Sequence, residues 1–346
     1  MRRVRLILVG LGNLGRRFCE LLPRKASLLA DRYGLRFEVV GAADSRGAAY
    51  EPDNGLDPHR IAVIKRRGGT IAEYPGAGRL GWRAASLVAE ASADALLEAS
   101  PVNLHSGAEP GITCIRLALR RSMHVVTPNK GPLVLAYTEL HELARASGVQ
   151  LRFDGTVAGG LPALNLGARD LRGAVIGRLD AVPNLTTGLV IDLLAAGASW
   201  PEAIAKAREA GSLEGDGTWD LEGWDAAAKL VILTNAVLEW PARIEDVVLR
   251  GIVDLDPAEL RAAADRGSRF RLLASAERRT DGTYALAVGP TVLRPAHPLA
   301  HLGSHAMGVA YFTDIYGVIS ATIDEQDPVP SAATMLRDLL DIFVKK

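Results

Sequence analysis

An acidic segment that ends in a lysine is the part of this chain best suited to chemistry. From residue 214 to residue 229 it reads Glu-Gly-Asp-Gly-Thr-Trp-Asp-Leu-Glu-Gly-Trp-Asp-Ala-Ala-Ala-Lys. Asp225 and Lys229 are four positions apart in a helical pattern, so their charged groups are expected on one helix face. A solvated surface pair is the alternative interpretation. The glycine-rich acidic loop before the pair instead favours a site for a small substrate that carries an ammonium group and is protonated on oxygen.

A glycine-rich stretch near the amino terminus has the pattern of a dinucleotide-binding loop. Residues 4–9 form a nearly continuous apolar run, typical of a buried parallel strand, and a helical segment follows residue 15. The first glycine permits a tight turn, the second lets the backbone approach a pyrophosphate, and the third lets helix and strand pack closely. The loop residues expected at the cofactor are Gly10, Gly12, Asn13, Leu14 and Gly15.

The preference for NAD or NADP depends on the end of the second predicted strand, residues 37–43. Asp44 follows it and can accept a hydrogen bond from a ribose 2′-hydroxyl, which favours NAD. Arg46 can instead meet a 2′-phosphate, which favours NADP. Both cofactors stay open at this point.

Two further strands end in polar residues that are expected at the cofactor crevice. Ser100 and Pro101 follow the third strand, and Asn129 and Lys130 follow the strand that begins at His124. Because the carboxyl ends of parallel strands line the ligand crevice, these residues are candidates for cofactor contact, with Lys130 also a candidate for catalysis. An ordinary loop lysine is the alternative for Lys130.

The remaining elements are predicted from apolar spacing. Residues 47–81 are interpreted as an insertion with one short helix near residues 57–67, and a helix is expected over residues 189–196. Asn184, Thr186 and Thr187 precede that helix and can cap it or touch the substrate. Residues 244–310 suggest strands of a mixed sheet, and residues 332–343 a last helix. The fold class is therefore α/β, with a Rossmann-type doubly wound parallel sheet and a second domain.

Composition excludes several classes of protein. The 346 residues carry 40 basic and 40 acidic side chains, so no overall positive field exists to hold nucleic acid. No apolar run approaches the ~18 residues of a membrane span, and the amino terminus lacks a signal-peptide layout. Cys19 and Cys114 lie in apolar helical patterns and are expected as buried thiols. A cytoplasmic enzyme with a small-molecule substrate is the expectation.

Together these segments resemble the homoserine dehydrogenase family over nearly the whole chain. Gly10, Gly12 and Gly15 match its glycine loop, and Asn129-Lys130 match its Asn-Lys. Its Glu-x-x-Val-Gly-Gly-Gly-Ile-Pro segment resembles residues 154–162, and its acidic run ending in Gly-x-Asp-Ala-x-x-Lys resembles residues 214–229. The resemblance implies a Rossmann domain over residues 1–148, completed by residues from about 310 to 346. It also implies an α+β substrate and dimerisation domain with a mixed sheet over residues 149–309.

The resemblance also implies roles for individual residues. Lys229 would give a proton to the aldehyde oxygen, with Asp225 and Lys130 in the same polar site. Glu214 and Asp220 would bind the substrate ammonium. A monovalent cation such as Na⁺ would bind mainly through backbone oxygens at Asp154, Val157, Gly159 and Leu161. The implied protein is a homodimer without a regulatory extension.

The chain departs from the family pattern at three places. Asp154 stands for the family's Glu, Leu185 and Gly188 differ within its Asn-Gly-Thr-Thr-Asn, and residues 321–328 lack its glycine turn. The leading hypothesis is NAD(P)-dependent interconversion of L-homoserine and L-aspartate 4-semialdehyde. Two alternatives are a related oxidoreductase acting on another amino-acid-derived carbonyl, and a nucleotide-binding sensor without catalysis.

Overall fold

The computed structural model describes residues 1–213 and 217–344. The chain divides into two compact units, one of Met1–Gly160 together with the segment from Asp327 onward, and one of Leu161–Gln326. Each unit has its own sheet. A parallel-dominated sheet and a mixed sheet together confirm the predicted fold class.

The sheet of the first unit has the strand order β4-β3-β2-β1-β5-β6-β7. Its strands are β1 (Arg2–Val9), β2 (Leu35–Ala43), β3 (Gly47–Tyr50), β4 (Gly78–Leu80), β5 (Ala95–Glu98), β6 (His124–Val126) and β7 (Leu151–Arg152). β1 is parallel to both β2 and β5, and β6 and β7 continue the parallel set. The strand order reverses at β1 and β5, so their carboxyl ends form the switch point where such sheets bind ligands.

Helices cover this sheet and bury its apolar residues. They are α1 (Asn13–Tyr33), α2 (Pro58–Arg66), α3 (Ala84–Glu90), α4 (Gly111–Arg120) and α5 (Lys130–Ala146). Leu6 and Leu8 of β1 and Phe18 of α1 are fully buried in one cluster. Cys19 and Cys114 are buried on α1 and α4, and burial raises the pKa of each thiol to about 12. Both are therefore protonated thiols without nucleophilic character.

The segment from residue 47 to residue 81 extends the sheet, which the sequence did not indicate. The expected helix is present as α2, but β3 also pairs antiparallel with β2, and β4 pairs antiparallel with β3. These strands have four and three residues. Strands of this length do not show a recognisable alternation of apolar and polar residues, so they are identified only by their pairing in the sheet.

The second unit is built on a sheet of order β13-β12-β8-β10-β11-β9. Its strands are β8 (Ile176–Val182), β9 (Val247–Leu249), β10 (Arg269–Arg278), β11 (Tyr284–Leu293), β12 (Ala306–Thr313) and β13 (Gly317–Asp324). Its helices are α6 (Ala163–Asn165), α7 (Leu185–Ala195), α8 (Trp200–Glu209), α9 (Thr218–Leu221), α10 (Trp224–Val237) and α11 (Pro257–Asp265). β9 is parallel to β11 while the other described pairs are antiparallel, which confirms the predicted mixed sheet.

The last helix, α12 (Val329–Phe343), returns the chain to the first unit. Met335, Leu339 and Phe343 join the core of that unit beside α1. The return occurs at Asp327 rather than near residue 310, because β12 pairs with β8 and β13 within the second sheet.

The start of α7 differs from the sequence prediction. The helix begins at Leu185, four residues before the expected residue 189, with Asn184 as its N-cap. Thr186 and Thr187 therefore lie inside the first turn rather than before the helix. Across the two described stretches of chain, no helix has both the length and the apolar character needed to cross a membrane.

Candidate functional site

The predicted pair of Asp225 and Lys229 forms a close, largely buried ion pair. Both lie on α10, and Lys229 Nζ is 2.7 Å from Asp225 Oδ2. The side chains are only 12% and 7% exposed, so the solvated-surface interpretation of this spacing is wrong. Lys229 Nζ also donates a hydrogen bond to the Pro183 carbonyl oxygen at 2.6 Å. Two fixed acceptors, one charged and one neutral, thus determine the position of the amine.

Asn184 connects this pair to the acidic segment. Its Nδ2 donates to Asp225 Oδ2 and to Asp220 Oδ1, both at 2.6 Å, while its Oδ1 accepts from Thr187 N at 2.9 Å. One amide therefore caps α7 and joins the carboxylates of α9 and α10. Glu214, the other residue predicted for the substrate ammonium, lies outside the described residues.

The hydroxyl groups of Thr186 and Thr187 are bonded within the protein. Thr186 Oγ1 donates to the Ser212 carbonyl, and Thr187 Oγ1 donates to the Asn184 carbonyl at 3.4 Å. Both threonines are buried. Their contact with a substrate stays a prediction. In the structure their hydroxyl groups stabilise the start of α7 through these hydrogen bonds.

The glycine loop joins β1 to α1 at the switch point. Gly10 has φ +88°, and a Cβ there would be 2.3 Å from the Ala99 carbonyl and Ser100 N. A Cβ on Gly15 would be 2.0 Å from the Gly10 carbonyl oxygen, whereas one on Gly12 would meet nothing within 4 Å. The first and third glycines are thus required by close packing, and the second leaves the N-terminus of α1 open to an anion.

A buried carboxyl group organises the strand ends beside this loop. Glu98, the last residue of β5, is fully buried and accepts hydrogen bonds from Ser100 N at 2.8 Å and from Thr127 Oγ1 at 3.1 Å. Ser100 Oγ also donates to it. Burial raises the pKa of Glu98, against the lowering effect of hydrogen bonds from Ser100 and Asn129. This carboxyl group therefore ties the end of β5 to the end of β6.

We expect the substitution Glu98→Gln to destabilise the protein most at acidic pH. Because the folded-state pKa of Glu98 is raised, its stabilising contribution is complete below the unfolded value of ~4.3 and declines as the pH rises through the folded value. Glutamine cannot ionise, so the deficit of the variant should shrink as the pH rises. Urea unfolding of both proteins at several pH values measures it. A deficit that grows with pH would mean that the ionised carboxylate is the stabilised form.

Asn129 and Lys130 begin α5. Asn129 is its N-cap, and its Oδ1 accepts from Gly131 N at 3.0 Å, while Lys130 is the first helical residue. Asn129 Nδ2 is also 3.4 Å from Ser100 Oγ. Ser100 and Asn129 are buried, and Pro101 is exposed beside them. The residues predicted for the crevice are therefore brought together at the carboxyl ends of β5 and β6.

Asp44 follows β2 as predicted, but its carboxylate is already occupied. It accepts hydrogen bonds from Arg46 N, Gly47 N, Lys65 Nζ, Thr70 Oγ1 and Ile71 N. A carboxylate offers about four acceptor positions. Burial would raise the pKa of Asp44, yet these hydrogen bonds, first that of Lys65, hold it below its usual value. A ribose hydroxyl would have to displace one of these donors, so Asp44 no longer favours NAD over NADP.

Two of the four residues expected around a monovalent cation, Asp154 and Gly159, are paired with side chains of α12. Asp154 Oδ2 is 2.6 Å from Arg337 Nη2, and the Gly159 carbonyl accepts from Thr334 Oγ1 at 3.1 Å. The Leu161 carbonyl accepts from Ala163 N at 2.8 Å. Among residues 1–213 and 217–344, no cluster of three His, Cys, Asp or Glu side chains is arranged for a metal ion.

Three contributors to these sites were not predicted. The Pro183 carbonyl is 46 residues from its partner Lys229, and Arg337 is 183 residues from its partner Asp154. No pattern in the neighbouring sequence indicates either contact. Glu98 does carry a signal, since it is a charged residue at the end of the apolar run Ala-Leu-Leu. A carboxyl group within a buried strand is rare unless it is paired, and that rarity could have identified it.

Comparison with known proteins gives consistent matches over the chain. The family model for homoserine dehydrogenase matches residues 162–340. An NAD(+)-dependent homoserine dehydrogenase of Pseudomonas canavaninivorans is 30% identical, over 99% of this chain and 97% of its own. A homoserine dehydrogenase of Methanocaldococcus jannaschii is 34% identical over 98% of each chain. The solved structure of an Archaeoglobus fulgidus protein assigned as a homoserine dehydrogenase superposes with a TM-score of 0.87 at 31% identity, covering 99% of this chain and 100% of that one.

Proposed function

The chain is an oxidoreductase that belongs to the homoserine dehydrogenase family, and from that premise we propose its reaction. It interconverts L-homoserine and L-aspartate 4-semialdehyde by hydride exchange with NAD or NADP, and Lys229 handles the proton. The observation that carries the role of Lys229 is its fixed amine, held by Asp225 Oδ2 at 2.7 Å and the Pro183 carbonyl at 2.6 Å.

The glycine loop and the neighbouring strand ends supply the cofactor site in this proposal. The open face at Gly12 and the N-terminus of α1 suit a pyrophosphate, and Ser100 and Asn129 stand at the adjoining strand ends. When bound, the nicotinamide supplies or accepts the hydride. The relative from Pseudomonas canavaninivorans is NAD(+)-dependent, so NAD is the cofactor to test first.

Charge balance supports an amino-acid substrate for this site. Asp220 lies on the short helix α9, and Asn184 joins its carboxylate to that of Asp225. A substrate ammonium would find a carboxylate there whose orientation is already fixed, which lowers the entropic cost of binding. Glu214 is proposed as the second acidic partner on the basis of family resemblance.

The proton balance of the reaction is the basis for the proposed role of Lys229. Oxidation removes a hydride from C4 and a proton from the hydroxyl group, so a neutral amine must accept that proton. In reduction the ammonium form returns a proton to the carbonyl oxygen. General acid or base help of this kind contributes ~10²–10⁴-fold to rate. The hydrogen bonds to Asp225 Oδ2 and to the Pro183 carbonyl keep the nitrogen in one position for both directions.

The reaction is tested by the appearance of reduced nicotinamide absorbance with purified protein and L-homoserine. NAD and NADP are supplied in separate cuvettes, and L-serine, one methylene shorter, is the control substrate. Turnover with homoserine and one cofactor supports the proposal and settles the preference that Asp44 leaves open. Cofactor binding without turnover on homoserine would contradict it. Turnover on another amino-acid-derived alcohol would then favour the related oxidoreductase. The absence of turnover on every alcohol tried would favour the nucleotide-binding sensor.

We propose that the working form is a homodimer, on family resemblance. Light scattering coupled to size-exclusion chromatography would measure the mass in solution. A mass of one chain at the concentrations used for assay would contradict this assembly.

A further inference from the structure

One face of α12 binds the turn that follows β7. Thr334, Arg337 and Asp338 have the i, i+3, i+4 spacing that brings side chains together on a helix. Thr334 Oγ1 donates to the Gly159 carbonyl at 3.1 Å, and Asp338 Oδ2 accepts from Asp154 N at 3.1 Å.

The centre of this contact is the guanidinium group of Arg337. Its Nη2 lies 2.6 Å from Asp154 Oδ2, and its Nη1 donates to the Gly160 carbonyl at 3.0 Å. Asp154 is only 3% exposed, so this carboxylate has little access to water. The positive charge of the guanidinium therefore lies between the buried Asp154 carboxylate and the Gly160 carbonyl of the turn.

Such a set of oxygens is also what a hard monovalent cation would use, because these ions bind carboxylate and carbonyl oxygens. Here the guanidinium engages the carboxylate and the Gly160 carbonyl, and a hydroxyl group engages the Gly159 carbonyl. A second unit charge about 4 Å from the guanidinium would bind on the order of 10³-fold more weakly, at an effective dielectric constant of about 20. The Asp154 carboxylate and the Gly159 and Gly160 carbonyls therefore do not fit an added ion.

We propose that Arg337 is a built-in cation that replaces a bound monovalent metal ion at the Asp154–Gly160 turn. The stability and activity of this protein are then indifferent to whether Na⁺ or K⁺ is present. This inference concerns the turn itself and does not depend on the proposed substrate, because its first readout is thermal unfolding.

The first arm of the test uses the unaltered protein. Its unfolding temperature and its cofactor-dependent turnover are measured in NaCl, KCl and choline chloride at equal ionic strength. We expect the same values in all three salts. Higher stability or turnover in one metal salt would show that an ion binds beside the guanidinium and would overturn the proposal. Asp338 Oδ1 is one place for such an ion, because it has no hydrogen-bond partner within residues 1–213 and 217–344.

The second arm removes the guanidinium. Arg337→Ala should unfold about 4–8 °C lower in choline chloride, because it removes the positive charge beside the buried Asp154 carboxylate. Part of that loss should return in NaCl or KCl, since the vacated oxygens can then bind an ion. Arg116→Ala is the matched control, because Arg116 forms an exposed pair with Glu139 in the same unit. The control should change little in any salt.

Outcomes of the second arm are read from unfolding alone. A folded Arg337→Ala protein with an equal loss in all three salts would contradict the equivalence of the guanidinium and a metal ion. Arg337→Lys, which keeps a positive charge near Asp154, should stay indifferent to the salt. If Arg337→Ala does not fold, the salt comparison on the unaltered protein and on Arg337→Lys still tests the proposal.

Discussion

Lys229→Ala is expected to lower kcat for homoserine oxidation by ~10²–10⁴-fold while cofactor binding is unchanged. The amine is held by Asp225 and Pro183 within the second unit, and the glycine loop belongs to the first. Removing the amine takes away the proton acceptor without altering the loop. Steady-state kinetics and cofactor titration by fluorescence measure the two effects separately.

A second substitution at this position separates charge from proton transfer. Lys229→Arg keeps a positive charge that can pair with Asp225, but a guanidinium does not lose its proton in proteins. We therefore expect Lys229→Arg to lose nearly as much kcat as Lys229→Ala while it retains more stability. Lys206→Ala, on the exposed face of α8, is the control for the loss of a lysine in the same unit. A Lys229→Arg enzyme with nearly full turnover would assign the residue a purely electrostatic role.

The spacing of residues along the sequence was sufficient to predict one contact of the candidate catalytic site. Asp225 and Lys229 are four residues apart on one helix, so their contact follows from helical geometry alone. Asn184 was recognised as a candidate, but not its position between two carboxylates. Those contacts span 36 and 41 residues, and the packing of α7, α9 and α10 creates them.

The same distinction explains the corrections in the first unit. The glycine loop was predictable because its pattern, an apolar strand, three spaced glycines and a helix, lies in one short stretch of sequence, even though the close contact at Gly10 is with Ala99 and Ser100. The occupation of Asp44 was not, because Lys65 and Thr70 come from the segment between β3 and β4. The two short antiparallel strands that flank it, β3 and β4, were also missed, because their pairing depends on neighbouring strands rather than on their own sequence. A residue type at a strand end thus indicates a role only when its surroundings leave it available.

Two glycines of the loop are expected to respond differently to a single methyl group. Gly15→Ala places a Cβ 2.0 Å from the Gly10 carbonyl oxygen, so the junction of β1 and α1 must shift. We expect this variant to lose ~3 kcal/mol or more of unfolding free energy, as for overpacked buried sites. Urea unfolding without cofactor measures this loss.

Gly12→Ala should leave folding intact and weaken cofactor binding instead. Its Cβ would meet no protein atom within 4 Å, so the unfolding free energy should match that of the unaltered protein. The methyl group would stand where a pyrophosphate approaches the backbone, and a misfit of 1–3 kcal/mol corresponds to ~5–150-fold weaker binding. Calorimetric titration with NAD and NADP measures this change. Unchanged affinity in a normally folded Gly12→Ala protein would place the pyrophosphate elsewhere, because a loop used as proposed has no room for a side chain on that face.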